Sequence, residues 1–280
     1  MFNTFVVDTG LTRVWPPPLS QILNFVLYMA DKGLSPATVN TYLAGINFHV
    51  KSSGFLCEDF LSNFLVKKML AGMRRQRKVS NMRAPITADI LARILKALPL
   101  VCSSTYESKL FSAAFLLAFF GFFRVGELTV TKMSMIQKVV SLQDIKIGNI
   151  LEVALRFSKT DQEGKGCTVC IPRLEGTFCP VKCLEQYITV RHRNPGPLFC
   201  HFDHSPLTRY QFASVLKKTL LFLGFDSNRY KTHSFRIGAA TEAAIRGLSD
   251  REIQLLGRWS SDTFRQYIRI PEKVMLELKF

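Results

Sequence analysis

Between Leu110 and Phe123 the chain reads LFSAAFLLAFFGFF, a run whose one polar side chain is Ser112. It is shorter than the ~20 apolar residues a helix needs to cross a bilayer, and Ser112 and Gly121 interrupt it, so it predicts a buried helix rather than a membrane span. A chain of 280 residues with 48% hydrophobic residues can bury such a helix within one large domain or two ordinary ones. MFNTFVVDTGLTRV at the N-terminus has no basic stretch leading into an apolar core and does not read as a signal peptide.

Around this segment the pattern is mainly helical. Residues 1–18 end in three prolines and read as a stiff lead-in. LSQILNFVLYMADKG then predicts a helix stopping at Gly33, and LSPATVNTYLAGINFHV a second, with Ser35 as N-cap and Pro36 in its first turn. DFLSNFLVKKMLAGMRRQRK is a third segment, ending in Arg74, Arg75, Arg77 and Lys78. Between about 139 and 171 the character changes: VVSLQDIKIG, ILEVALRFS and GCTVCIP alternate or are rich in β-formers, and Gly148-Asn149 and KTDQEGKG separate them. These predict a small three-stranded antiparallel sheet. Helical segments follow near 180–193, 207–223, 233–246, 249–256 and 260–269. The fold class is therefore mainly α with one small sheet, in two domains: 1–73 and 86–280, joined by a basic linker over 74–85.

The charge sets the partner. Lys and Arg number 37 against 21 Asp and Glu, a formal +16, which points to a polyanion: nucleic acid first, an acidic membrane surface second. For the run MRRQRKVSNMRAP three readings stand open: a linker lying along phosphates, a solvated helix end, and a nuclear-targeting patch.

Several site chemistries lack their motifs. There is no G-x-x-x-x-G-K-[ST], no G-x-G-x-x-G after a strand, no G-x-S-x-G and no H-E-x-x-H, so no nucleotide or nicotinamide is expected. Cys57, Cys102, Cys167, Cys170, Cys179, Cys183 and Cys200 are an odd set without a secretory signal, which favours free thiols. Cys167 and Cys170 fall three apart on a strand-like segment, where side chains face opposite ways, so zinc is not expected there either.

What remains is cationic and aromatic. Arg124 follows directly on the apolar run, in GFFRVGEL, where a guanidinium needs a partner; Glu127 is three residues on, and the pair is either structural or part of a site. Lys159, in FSKTDQEGKG at a hairpin tip, is either a solvated charge or a mobile proton donor. His233 and Arg236 share a helix face in THSFRIGAAT, with small residues behind them, and two cationic donors there favour an anion between them. Trp259 and Tyr267 lie eight apart in GRWSSDTFRQYIR. A phenol is a weak nucleophile until its proton is removed, and neighbouring cations ease that loss.

Taken in order, Arg124, Lys159, His233-x2-Arg236, Trp259 and Tyr267 resemble the tyrosine recombinase (phage-integrase) superfamily over nearly the whole chain. G-R-W in place of the commoner L-G-H, together with THSFRIGAAT, is closest to recombinases of eukaryotic DIRS-type or Crypton-like mobile elements, some of them retrotransposons. The resemblance implies a helical core-binding domain (SAM-like) that clasps DNA and a catalytic domain that cleaves and rejoins it through a 3′-phosphotyrosine. Neither metal nor ATP takes part, and a tetramer assembles on double-stranded DNA. It assigns Tyr267 as nucleophile, Arg124 and Arg236 as phosphate clamps and Glu127 as support of Arg124. Lys159 becomes the proton donor to the leaving 5′ oxygen, His233 a donor or proton-transfer group, and Trp259 the residue where many members have histidine. Ser35, Thr38 and Asn40, with the basic cluster, become candidate DNA contacts. A nuclear location follows for a eukaryotic element, and otherwise a cytoplasmic one with the nucleoid. The alternatives are a catalytically silent DNA-binding descendant and a type IB topoisomerase-like nickase. A Trp-to-Tyr spacing of eight rather than nine would turn Tyr267 by about 100° on a continuous helix.

Overall fold

A computed structural model describes residues 1–55, 59–76, 83–157 and 164–270. The chain divides into two compact units, Met1–Asn81 and Met82–Phe280.

Among the described residues the first unit holds four helices: α1 (Phe2–Asp8), α2 (Leu19–Asp31), α3 (Pro36–Ser52) and α4 (Phe64–Gln76). Ser35 caps α3 by accepting from the Thr38 backbone N–H at 3.0 Å, and Pro36 occupies its first turn. Leu34 follows Gly33, whose φ of +72° ends α2 in the left-handed conformation that glycine adopts without strain. Phe25, Val26, Met29, Val39, Leu43 and Val50 are buried together as the core. Residues 2–8 are a helix rather than part of a lead-in, because Phe5 and Val6 are buried in that core, and tertiary burial outweighs the weak local pattern. Arg74 and Arg75 stand exposed in the last turn of α4, so helix continues past the expected domain edge at residue 73.

The second unit is built on the apolar run. α5 (Ala88–Val101) and α6 (Thr105–Phe120) are capped by Thr87 and Ser104, and α6 packs against α5 as well as against later helices of the unit. Phe115, Leu116, Leu117 and Ala118 have no solvent exposure at all, on successive positions around the helix, so α6 is apolar on every face because every face is covered. Gly121 closes it, and Phe122 turns the chain with φ of +49°.

Beyond Phe122 come α7 (Val125–Leu128), β1 (Ile145–Ile147), β2 (Ile150–Leu155) and β3 (Cys167–Pro172), the strands ordered β1-β2-β3 and antiparallel throughout. Leu151 pairs with Ile171 and Val153 with Val169, and alternate residues Leu151, Val153 and Leu155 face the core. Then follow α8 (Pro180–Ile188), α9 (Arg209–Phe222), α10 (Ser234–Ile245) and α11 (Asp250–Gly257). Residues 260–269 are not the helix the pattern predicts: Asp262–Tyr267 form a 3-10 turn. No described helix is long and apolar enough to cross a membrane.

The segment entering this unit is fixed by backbone bonds. Ala84 N–H donates to Arg229 O at 2.7 Å and Ile86 N–H to Ser234 O at 3.1 Å, so α10 lies directly under it. Gly238 makes that approach possible, since a Cβ there would stand 1.8 Å from Ile86 O.

Candidate active site

Four local structures converge on one open cleft of about 850 Å³, lined by Arg124, His233, Arg236, Trp259 and Tyr267 among others. These are five of the six residues singled out for chemistry in the sequence. Lys159 lies outside the described residues, as do Arg77 and Lys78. Phe157, two positions before Lys159, lines the cleft, so the β2–β3 connection starts at its edge. Ser35, Thr38, Asn40, Arg74 and Arg75 stand in the first unit. Ser35 and Thr38 are bonded to each other at the α3 cap, and Asn40 is exposed.

Arg124 is carried by the turn after α6. Its backbone N–H donates to Glu127 Oε2 at 2.8 Å and its Nη1 to Oε1 at 3.0 Å, so the carboxylate grips both ends of the residue and caps α7. Glu127 is itself buried, at 5% exposure, and a buried carboxylate is tolerable only when paired.

Its second partner is Arg258, a residue the sequence reading passed over. Arg258 Nη2 donates to Glu127 Oε2 at 2.9 Å, and the same guanidinium reaches Gly121 O at 3.0 Å and Phe122 O at 3.2 Å. Its backbone ends α11 in the left-handed conformation, φ 54° and ψ 48°, with Trp259 N–H bonded to Gln254 O and Arg258 N–H to Leu255 O. That is a Schellman ending, whose left-handed position usually holds glycine; a side chain there costs about 1–2 kcal/mol.

Arg236 projects from α10 and is 1% exposed. Its Nη1 donates to Phe122 O and its Nη2 to Gly257 O, the latter at 2.8 Å, while its Nε, also buried, has no partner among the described residues. The guanidinium lies 4.5 Å from the Trp259 ring and 5.8 Å from the Tyr267 ring. Burial first, then the neighbouring Arg124 and Arg258, pull its pKa down to about 9.

Trp259 packs across Phe122 and Tyr267 in edge-on contacts at 6.1 and 4.9 Å. Its buried indole Nε1–H has no acceptor among the described residues. Glycine at 257 is required for the ring, because a Cβ there would stand 1.4 Å from it.

Tyr267 ends the 3-10 turn, with its phenol oxygen 2.7 Å from His233 Nε2. Buried Thr241 holds the backbone that leaves Tyr267: its hydroxyl donates to Tyr267 O at 3.2 Å and accepts from Arg269 N–H at 2.9 Å. The rotation argument from eight-residue spacing does not apply, because α11 ends at Gly257, before Trp259, and Asp262–Tyr267 are a 3-10 turn rather than a continuation of the α-helix. Burial, followed by Arg236, Arg83, Arg124 and Arg209, pushes the His233 pKa down to about 4, so the imidazole is neutral at pH 7.

Arg209, at the start of α9, and Lys138 also line the cleft, and Glu127 is the one carboxylate among its described lining residues. Neither base carries a local sequence signal; a lone Arg at a helix start and a lone Lys read as surface. Arg258 did carry one, an arginine where the resemblance expects glycine. The arrangement can bind an anion, orient it against a phenol, and offer that phenol a neutral imidazole. Among the described residues no group of three or more His, Cys, Asp or Glu is placed to hold a metal ion.

Residues 85–272 match the model of the phage integrase family. An integrase/recombinase XerD homolog from Selenomonas ruminantium is 25% identical over 264 residues, 87% of this chain and 70% of the relative. Among solved structures, XerH site-specific recombinase in a post-cleavage complex with palindromic difH superposes with a TM-score of 0.65 at 15% identity, covering 93% of this chain and 71% of that one. The Tn1549 transposon integrase in complex with circular intermediate DNA gives 0.61 at 16%, covering 94% and 85%. A lambda integrase dimer bound to a core site gives 0.58 at 18%, covering 96% and 70%.

Proposed function

Since the chain belongs to the phage integrase family of tyrosine recombinases, we propose that it cleaves and rejoins double-stranded DNA site-specifically through a 3′-phosphotyrosyl intermediate. The observation that carries this reading is the 2.7 Å contact between His233 Nε2 and the Tyr267 phenol beside two arginines.

The phenol oxygen of Tyr267 attacks the scissile phosphorus while its proton passes to the neutral His233. Arg124 and Arg236 stabilise the charge gathering on the non-bridging oxygens, and the unpartnered Nε of Arg236 and Nε1 of Trp259 are donors suited to those oxygens. The bond to the 5′ oxygen breaks, and that oxygen takes a proton from Lys159. One phosphoester replaces another, so the bond is conserved in the adduct and no ATP is consumed. Attack by a 5′ hydroxyl of a second strand reverses the step and completes strand exchange, which calls for two duplexes and a tetramer of the protein. The first unit clasps the DNA with the linker, and Ser35, Thr38, Asn40, Arg74, Arg75, Arg77 and Lys78 are its candidate contacts. G-R-W and THSFRIGAAT support an origin in a DIRS-type or Crypton-like eukaryotic element and hence a nuclear site of action.

A nicked suicide substrate tests the reading. The wild type should accumulate a covalent adduct and Tyr267→Phe none; equal adduct in both removes Tyr267 from the chemistry. No adduct with any substrate favours a silent DNA-binding protein, and supercoil relaxation without strand exchange favours a nickase.

A further inference from the structure

Arg258 is a non-glycine residue held at a position that suits glycine, and its guanidinium has three acceptors inside the protein. Strain of this kind persists where the surroundings over-determine it and clusters at functional sites. Its partners are particular ones. Gly121 and Phe122 form the turn that delivers Arg124 from the end of α6, and Glu127 is the carboxylate that grips Arg124. Phe122 O also accepts from Arg236. One side chain from the end of α11 therefore ties together the supports of Arg124 and Arg236.

The charge balance points the same way. Glu127 is shared by Arg124 and Arg258, so the three carry a net positive charge beside the buried Arg236, whose pKa both arginines lower. Cations so placed are stabilised by a bound anion.

We propose that Arg258 is a positioning residue for the phosphate site: it fixes Glu127 and the Gly121–Phe122 turn so that Arg124 is aimed into the cleft. The proposal deepens the recombinase reading of that cleft and rests on it for the identity of the anion.

The test uses the full chain and two readouts. Arg258→Gly relieves the left-handed backbone but gives up the buried pair with Glu127, so it should fold with a lowered melting temperature. It should bind inorganic vanadate, a phosphate mimic, about tenfold more weakly than the wild type, and form adduct about tenfold more slowly at saturating suicide substrate with DNA affinity unchanged. Arg258→Lys should recover part of both losses. Should the glycine variant fail to fold, Arg258→Gln keeps the bulk and carries the same comparison. Vanadate affinity equal to wild type in a folded neutral variant overturns the proposal. If the wild type forms no adduct but its vanadate affinity depends on Arg258, the recombinase reading fails and the positioning role stands.

Discussion

His233 Nε2 and the Tyr267 phenol oxygen stand 2.7 Å apart, although 34 positions separate the two residues in the chain. The contact is only useful to a nucleophile if the imidazole is neutral, and burial among arginines makes it so, with a pKa near 4.

That shift sets a pH dependence of stability. The folded pKa lies below the unfolded value of about 6.5, so as pH falls the unfolded chain takes up the proton first. The contribution of neutral His233 is complete above about pH 6.5 and is lost as pH falls toward 4. Thermal unfolding of the wild type and of His233→Gln should therefore differ by a constant amount from pH 7 to 8. The wild type should then lose ground to the variant below pH 6.5; a pH-independent difference down to pH 4 would contradict the assignment.

Removing the shared carboxylate should be costly. Glu127→Ala leaves Arg124 and Arg258 without their common partner, and breaking a buried pair from one side costs about 3–5 kcal/mol. Urea unfolding of this variant is the measurement, and a loss within about 0.5 kcal/mol, the range of ordinary surface substitutions, would mean that the network does not hold the site together.

Gly238→Ala should separate α10 from the segment through Ile86. The added carbon meets a backbone carbonyl at 1.8 Å rather than a side chain that could swing away. Overpacking of this kind costs about 1–3 kcal/mol or more, visible as a lowered melting temperature, while Ala at a free helix position would raise it.

Arg209 lines the main cleft and a second one of about 550 Å³, shared with Arg83, Lys217 and Lys231. If these groups follow a nucleic-acid backbone, DNA affinity should fall ~10³ to 10⁵-fold between 50 and 200 mM salt for some 6–10 phosphate contacts. Arg209→Ala should lower the slope of log affinity against log salt by about 1, and an unchanged slope would remove Arg209 from the DNA path.

Much of the fold was legible because it rests on local rules. The apolar run demanded burial, Ser35 and Pro36 marked a helix start, and Gly148-Asn149 between alternating segments marked a hairpin. The short helix at Phe2–Asp8 and the 3-10 turn ending at Tyr267 were not, since each is held by distant contacts: Phe5 and Val6 in the first core, and Thr241 on Tyr267 O and Arg269 N–H.

The candidate site divides along the same line. Residue type and order in the sequence determined which groups are present: two arginines, an imidazole, an indole and a phenol at a recognisable spacing. Tertiary structure alone decided that Arg258 shares Glu127 with Arg124, that His233 is neutral, and that Tyr267 meets His233 by way of a 3-10 turn. The reason is physical. A side chain's identity is local, but its charge state and its aim depend on desolvation and on partners brought near only by folding.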